Sequence, residues 1–217
     1  MLIRCFLLLL ILLPGGWLMA AYTGISETTL SKVQQAYGMP ARKRVEAWRD
    51  LMADSTLKQT AETTRLRVVN DFFNNVQWLE DTTVWGKTDY WATPLEMLER
   101  NAGDCEDFSI GKYFTLLELG VAEDKLRIMY VKSLTYNQAH MVLLYYASPG
   151  AMPMVLDNIK KTIEPANRRT DLVPVYSFNG SGLWINKSPA GQKVGNSADR
   201  IGPWRGLLAR MRNEGLL

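Results

Sequence analysis

The segment TPLEMLERNAGDCEDFSIGKYFTLLELG, residues 93–120, decides the fold because it contains two helix starts in succession. In the first, Thr93 can act as N-cap, Pro94 suits the first helical position, and Glu96 completes a capping box. Gly103 follows soon after, so this first helix is predicted to be short.

The second helix is predicted to begin directly after Asp104, which can act as its N-cap. Asp107 stands three residues on, and Gly120 is a typical stop. Apolar residues recur between them at helical spacing: Ile110, Phe114 and Leu117. The pattern therefore places Cys105 in the first turn of a helix.

The spacing of the apolar residues differs between the two sides of this segment. Upstream, three apolar stripes predict helices within residues 26–80: Leu30, Val33 and Tyr37; Val45, Trp48 and Met52; Leu66, Val69, Phe73 and Val76. Downstream of Gly120 the period becomes two, and short runs predict five strands, at residues 126–131, 141–146, 154–156, 173–178 and 183–185. N-terminal helices followed by an antiparallel β-sheet define an α+β fold class.

Composition excludes several classes of protein. The chain has 217 residues, 47% hydrophobic and 22% charged, which is typical of a globular domain and not of a disordered or collagenous chain. The net charge of +3 is too weak to indicate a nucleic-acid binder. Two cysteines and one histidine cannot supply a structural zinc site of four Cys, or of two Cys and two His.

The N-terminus has the order of features found in a secretory signal peptide. Arg4 is followed by the apolar run 5–13, a Pro-Gly-Gly break, and the small residues Ala20 and Ala21. Residues 1–21 are therefore predicted to be a signal peptide, and the protein to be exported. The alternative is that this segment remains as an uncleaved anchor. Its removal would leave Cys105 as the single cysteine of an exported chain, which is unusual and calls for an explanation.

The C-terminal residues 187–217 form a less hydrophobic, basic tail beyond the main domain, which is predicted to span residues 22–186. A short amphipathic helix is predicted over residues 204–211. We expect the tail to be solvated, and attraction to an acidic partner or to anionic lipid is the alternative.

Cys105, His140 and Asp157 together indicate acyl-transfer chemistry. A helix N-terminus favours a thiolate at Cys105, which would attack a carbonyl carbon. His140, at the start of the second predicted strand, would accept the thiol proton and later donate it to the leaving group. Asp157, at the end of the third, would hold the imidazole in the correct tautomer. Singly, the histidine could be a packed core residue and the aspartate a turn residue.

Three acids beside the cysteine oppose an activated thiol. They are Asp104, Glu106 and Asp107. At ~6 Å and an effective dielectric constant of ~20, a carboxylate repels a thiolate by roughly 2–3 kcal/mol, whereas the helix end returns only ~0.3–1 kcal/mol. Such a cluster could hold Ca²⁺, which prefers carboxylate oxygens, and would then be neutralised. The alternative is ordinary acid enrichment in the first turn of a helix.

These segments resemble the bacterial transglutaminase-like cysteine proteinases, the LapG family. The resemblance covers about residues 22–186 and is carried by five segments: YWATP at 90–94, GDCEDF at 103–108, AHMVL at 139–143, VLDN at 155–158 and DLVPVY at 171–176, with LWI at 183–185 in addition. It implies a papain-like or transglutaminase-like core and a periplasmic endopeptidase. It also implies a Cys105–His140–Asp157 triad and Ca²⁺ bound through Asp104, Glu106 and Asp107.

The resemblance also implies a biological setting. Family members cut the N-terminal region of large, repeat-rich surface adhesins, typically at a di-alanine site, and this disperses biofilm. A LapD-like inner-membrane receptor sequesters the protease when cyclic-di-GMP is high. An exposed aromatic side chain could be the anchor for such a partner, and Trp85 and Trp91, in the polar connection 81–91, are the candidates; burial of both in the core is the alternative.

Two other functions remain compatible with the same residues. The triad and its thioester intermediate would equally serve a transglutaminase or a deamidase, because pocket shape decides whether an amine or water takes the acyl group. A calcium-binding periplasmic module with an inert cysteine is the alternative outside enzymes.

Overall fold

A computed structural model describes residues 24–185, 192–196, 198 and 200–217. The predicted signal peptide, residues 1–21, lies outside the described residues and stays a prediction. The helices, in chain order, are α1 (Glu27–Ala53), α2 (Ser55–Lys58), α3 (Glu62–Phe73), α4 (Asp81–Val84), α5 (Pro94–Arg100), α6 (Cys105–Glu118) and α7 (Gly202–Asn213). The strands are β1 (Gln77–Trp78), β2 (Ala102–Gly103), β3 (Leu126–Ser133), β4 (Gln138–Tyr145), β5 (Met154–Leu156), β6 (Glu164–Pro165), β7 (Leu172–Asn179), β8 (Gly182–Ile185) and β9 (Gln192–Gly195).

A seven-stranded antiparallel sheet forms one layer of the molecule, in the order β6-β5-β4-β3-β7-β8-β9. The predicted α+β class is therefore confirmed. The long hairpin β3–β4 lies near its centre, and Val131 pairs with His140 in its register. The strands β1 and β2 form a separate parallel pair.

The helices cover one face of this sheet and build the main core. The buried side chains of α1 include Val33, Val45 and Trp48, as their spacing predicted. Tyr37 is different, because it lies beside a kink at Gly38, whose φ of 83° is left-handed. The kink turns the end of the predicted stripe away from the core, and Tyr37 is 43% exposed.

The helix α6, which begins at Cys105, packs between the sheet and another helix. It packs against β4 on one side and α3 on the other. Contact with α3 is close at Gly111, where an added Cβ would lie 2.4 Å from the buried ring of Phe73. A residue without a side chain is required there because the ring has no room to move.

The C-terminal residues correct one prediction. A solvated tail was expected for 187–217, but α7 places Trp204, Leu207 and Met211 in the core, each at most 1% exposed. The Trp204 ring stacks on Phe114 of α6, with centroids 5.6 Å apart. The amphipathic pattern was visible in the sequence, but the apolar surface that it covers is assembled from distant residues. Among the described residues, no helix combines the length and apolar character needed to cross a membrane.

Candidate active site

Side-chain capping interactions set the starts of α5 and α6, the two helices around the site. Thr93 Oγ1 accepts the N–H of Glu96 at 3.1 Å, and the N–H of Thr93 donates to Glu96 Oε2 at 2.8 Å. At the start of α6 the N–H of Asp104 donates to Asp107 Oδ2 at 3.2 Å. Cys105 is therefore the first residue of α6, as the sequence predicted.

His140 and Asp157 meet across neighbouring strands. His140 is the third residue of β4, and Asp157 directly follows β5, whose pairing sets Leu143 opposite Leu156. This register brings His140 Nε2 to 2.9 Å from Asp157 Oδ1. Both side chains are buried. The second ring nitrogen, Nδ1, is left for a proton from another group.

The Cys105 sulfur lies beside the strand that carries the histidine. The backbone N–H of Met141, the residue after His140, lies close enough to this sulfur to lower the pKa of the thiol, although burial and the neighbouring carboxylates outweigh it. The thiol itself donates to Glu106 Oε2 at 3.1 Å. The structure therefore places Cys105 at the start of a helix that packs against β4, with the thiol hydrogen-bonded to a carboxylate and not to His140.

The Asp157 carboxylate is held ionised in a buried position. Burial raises its pKa, but hydrogen bonds from His140, from the N–H of Ile159 and from Arg169 outweigh burial and lower the pKa to about 2. Ile159 donates to Oδ1 at 3.0 Å and Arg169 Nη2 to Oδ2 at 2.8 Å. Arg169 could not be predicted from the sequence, because an arginine twelve residues from Asp157 carries no local signal of this contact.

A carboxylate cluster surrounds the start of α6. Its oxygens lie within 4.8 Å of one another in two groups, Asp81 with Asp104 and Asp107, and Asp81 with Asp89 and Glu106. Sequence reasoning identified the three acids of α6 but missed Asp81 and Asp89. Their position in the connection 81–91 was a weak signal, because only the fold brings that connection against α6.

Burial and mutual repulsion raise the pKa values of carboxyl groups in this cluster. Burial and then Glu106 raise the pKa of Asp104 to about 10, and burial raises that of Asp81 to about 6. Burial and then Glu106 and Asp104 also raise the pKa of Cys105 well above its usual value. This is the conflict that the sequence predicted.

The same cluster passes a simple test of fit for a cation. Asp81 Oδ1 and Asp104 Oδ1 are buried and lack a hydrogen-bond partner among the described residues. Unpartnered buried carboxylate oxygens are costly unless something positive binds them. The donor set consists of carboxylates, which suits a hard divalent cation such as Ca²⁺.

The two candidate partner anchors differ in exposure. Trp91 is buried, 5% exposed, and stacks on Phe178 with centroids 5.7 Å apart, so the expectation of an exposed anchor is wrong for this residue. Its apolar neighbours come from β7, which the local sequence could not reveal. Trp85 is half-buried against Tyr90 and the guanidinium of Arg100. A partner role for Trp85 stays a prediction.

A cysteine at the start of a helix that packs against the strand of a histidine–aspartate pair is the arrangement of side chains that a cysteine nucleophile with a histidine base requires. The family model for bacterial transglutaminase-like cysteine proteinases matches residues 39–185, and the chain belongs to this family. The resemblance seen in the sequence is thereby confirmed.

Solved structures of one relative are closely similar to this chain. LapG of Legionella pneumophila, in an EGTA-treated form, matches with 42% identity and a TM-score of 0.75, over 87% of this chain and 99% of that one. A calcium-bound form of the same protein matches with 43% identity and a TM-score of 0.72, over 86% and 99% of the two chains. No curated protein matches.

Proposed function

We propose that this cysteine proteinase is a calcium-dependent endopeptidase of the periplasm with Cys105 as nucleophile, His140 as general base and acid, and Asp157 as the residue that orients the imidazole. One observation supports the catalytic roles most directly. The His140–Asp157 pair is formed at 2.9 Å, and Cys105 is the first residue of the helix that packs against the strand carrying that histidine.

The reaction follows from these positions. The Cys105 sulfur attacks the carbonyl carbon of the scissile peptide, and the thiol proton passes to His140 Nδ1. The C–N bond then breaks as the imidazolium returns that proton to the departing amine, which leaves a thioester. Water, deprotonated by the imidazole, attacks the thioester and releases the acid and the thiol. Asp157 stabilises the imidazolium throughout, because its pKa of about 2 keeps it anionic.

Calcium has a defined place in this proposal. The acids that would hold it are Asp81, Asp89, Asp104, Glu106 and Asp107. A bound Ca²⁺ supplies positive charge that neutralises the carboxylates around the thiol. Glu106 now accepts the thiol hydrogen bond and so favours the protonated sulfur. The calcium-bound form of the Legionella relative supports this choice of metal.

The resemblance supports a specific substrate and a specific control. The substrate is the N-terminal region of a large surface adhesin, and its cleavage would release the adhesin and disperse biofilm. A LapD-like inner-membrane receptor, responding to cytoplasmic cyclic-di-GMP, would sequester the enzyme. The predicted signal peptide supports placement in the same compartment as both partners.

Incubation with an adhesin N-terminal fragment containing a di-alanine site tests the activity. We expect one cut, seen by mass spectrometry, in calcium and none with Cys105→Ala. A crosslinked product, or a mass shift of about one unit as glutamine becomes glutamate, would instead indicate a transglutaminase or a deamidase. An intact fragment would favour a module that only binds calcium.

Chelation separates the metal from the nucleophile. Excess EGTA should abolish cleavage, and added Ca²⁺ should restore it. Asp104→Asn should behave as the chelated protein does, because it removes one ligand charge. Full cleavage in excess EGTA would remove calcium from the proposal while leaving the cysteine chemistry intact.

A further inference from the structure

Arg169 lies directly behind the His140–Asp157 pair, in a position that no step of the proposed reaction uses. The residue is 4% exposed. Its Nη2 donates to Asp157 Oδ2 at 2.8 Å. The same guanidinium donates from Nε and Nη2 to the two carboxylate oxygens of Asp171, at 2.9 and 2.8 Å. A continuous series of hydrogen bonds therefore runs from Asp171 through Arg169 and Asp157 to the imidazole of His140.

We propose that Arg169 is a positioning residue, which fixes the Asp157 carboxylate towards His140, and that Asp171 holds the guanidinium in place from the outer side. The inference deepens the proposed function and rests on the catalytic roles given there to His140 and Asp157.

The chemistry of a buried carboxylate makes such a residue necessary. Asp157 has a side chain with no exposed surface, so its charge needs compensation inside the protein. Oδ1 is shared by His140 and the N–H of Ile159, and Oδ2 is bonded to Arg169. Loss of the Arg169 bond would leave a buried charge undercompensated, and rotation or protonation of the carboxylate would then weaken the bond to His140 Nε2.

The geometry requires an arginine rather than any cation. A guanidinium is planar and donates along two edges, so it can bond Asp171 as a fork and reach Asp157 at the same time. A lysine ammonium is a point charge without this fixed geometry. The backbone at Arg169 is also fixed, because its N–H donates to Ala166 O at 3.0 Å and its carbonyl accepts from Leu172 at 3.1 Å.

Asp171 is the outermost residue of this series of hydrogen bonds. Its side chain is 34% exposed, so it can keep its charge at little cost and orient the arginine from the surface. The Arg169 hydrogen bond lowers the pKa of Asp171 and so favours its ionised form in this contact. Asp171→Asn should therefore loosen Arg169 without removing it.

A neighbouring cavity makes a sharp experiment possible. A cavity of about 930 Å³ lies on the far side of the sheet from the main core, and Arg169 is one of its lining residues. In Arg169→Ala the space left by the side chain would open into this cavity. Ethylguanidinium, a small planar cation, could then enter and bond Asp157 in place of the missing side chain. N-ethylurea has a similar shape but no charge, and is the matched control compound.

Two measurements on Arg169→Ala test the role. The first is kcat against KM for cleavage of the adhesin fragment in calcium: kcat should fall by about 10²-fold with KM little changed, since the proton transfer and not peptide binding is impaired. The second is proton NMR of the chain's single histidine, whose downfield N–H resonance reports the bond to Asp157. This resonance should be lost in the variant.

Ethylguanidinium should restore both the resonance and at least about a tenth of the lost kcat, and N-ethylurea should restore neither. Arg168→Ala, at the exposed neighbouring arginine, is the control variant and should keep wild-type kcat. A kcat within threefold of wild type in Arg169→Ala, or an unchanged histidine resonance, would overturn the proposal. So would a loss of activity that ethylguanidinium cannot reverse in a variant with an unchanged melting temperature.

The experiment remains interpretable if the variant does not fold or if the wild-type protein is inactive. If Arg169→Ala does not fold, Asp171→Asn takes its place, with a smaller fall in kcat expected and wild-type kcat contradicting the proposal. If the wild-type protein cleaves no fragment, the proposed function fails, and the histidine resonance alone still decides whether Arg169 positions the Asp157 carboxylate.

Discussion

At the scale of single residues, the Asp157 carboxylate links the chemistry of the site to the stability of the fold. Its pKa of about 2 lies below the usual value of 3.8, so folding favours the ionised form. The stabilisation is fully present above about pH 4 and is lost as the pH falls towards 2. A shift of this size in a buried group corresponds to about 2–3 kcal/mol.

This gives a prediction for Asp157→Asn, which cannot ionise. The free energy of unfolding, from urea titrations between pH 5 and pH 2, should fall less steeply in the variant, so that the two proteins differ by about 2–3 kcal/mol less at pH 2 than at pH 5. Peptide cleavage at neutral pH should fall by about 10³-fold, because the imidazole loses its anionic partner. Parallel pH curves for the two proteins would contradict the assigned contacts.

The sequence alone identified the candidate catalytic residues that are the only ones of their type or that end a predicted element. Cys105 and His140 stood out because the predicted exported chain has one cysteine and one histidine, and Asp157 because it ends a strand. Three other residues could not be recognised in this way, namely Arg169, Asp81 and Asp89. The role of each depends on a contact with a segment that is distant in the sequence. No spacing rule connects them to the site before the fold is known.

At the scale of the elements, the contact between α3 and α6 sets where the nucleophile helix lies. Gly111→Ala would drive a methyl group into the ring of Phe73, which is completely buried. We expect a loss of about 1–3 kcal/mol in stability, measured by urea unfolding, together with reduced cleavage as α6 shifts. Gly202→Ala, where an added Cβ meets no atom within 4 Å, is the matched control and should stay close to wild type.

Periodicity predicted the long elements and failed where the chain departs from it. The stripes of α1, α3 and α6 predicted those helices, and the two-residue period predicted β3 and β4. The kink at Gly38 was not predicted, because it lies between two apolar stripes that each have helical spacing. The pair β1–β2 was missed because two-residue strands are too short to show a period.

At the scale of the whole molecule, the carboxylate cluster ties the connection 81–91 to α6, and its repulsion should weaken the fold unless a cation is bound. We therefore predict that Ca²⁺ raises the melting temperature, and that above the dissociation constant the stabilisation grows with the logarithm of the calcium concentration. At 100-fold excess over that constant the gain is about 2.7 kcal/mol. Differential scanning calorimetry in calcium and in EGTA measures it. Equal melting temperatures in the two buffers would show that the cluster holds no calcium.

The coupling between Cys105 and His140 is central to the proposed chemistry, and the rate at which iodoacetamide alkylates that cysteine in calcium measures it. Peptide mapping by mass spectrometry assigns the label to Cys105 rather than to Cys5. We expect Cys105 to react faster at neutral pH than free cysteine, and His140→Ala to slow this reaction at least about 10-fold, since the imidazole stabilises the thiolate. Alkylation no faster than that of free cysteine, and unchanged in His140→Ala, would show that the two residues are not coupled.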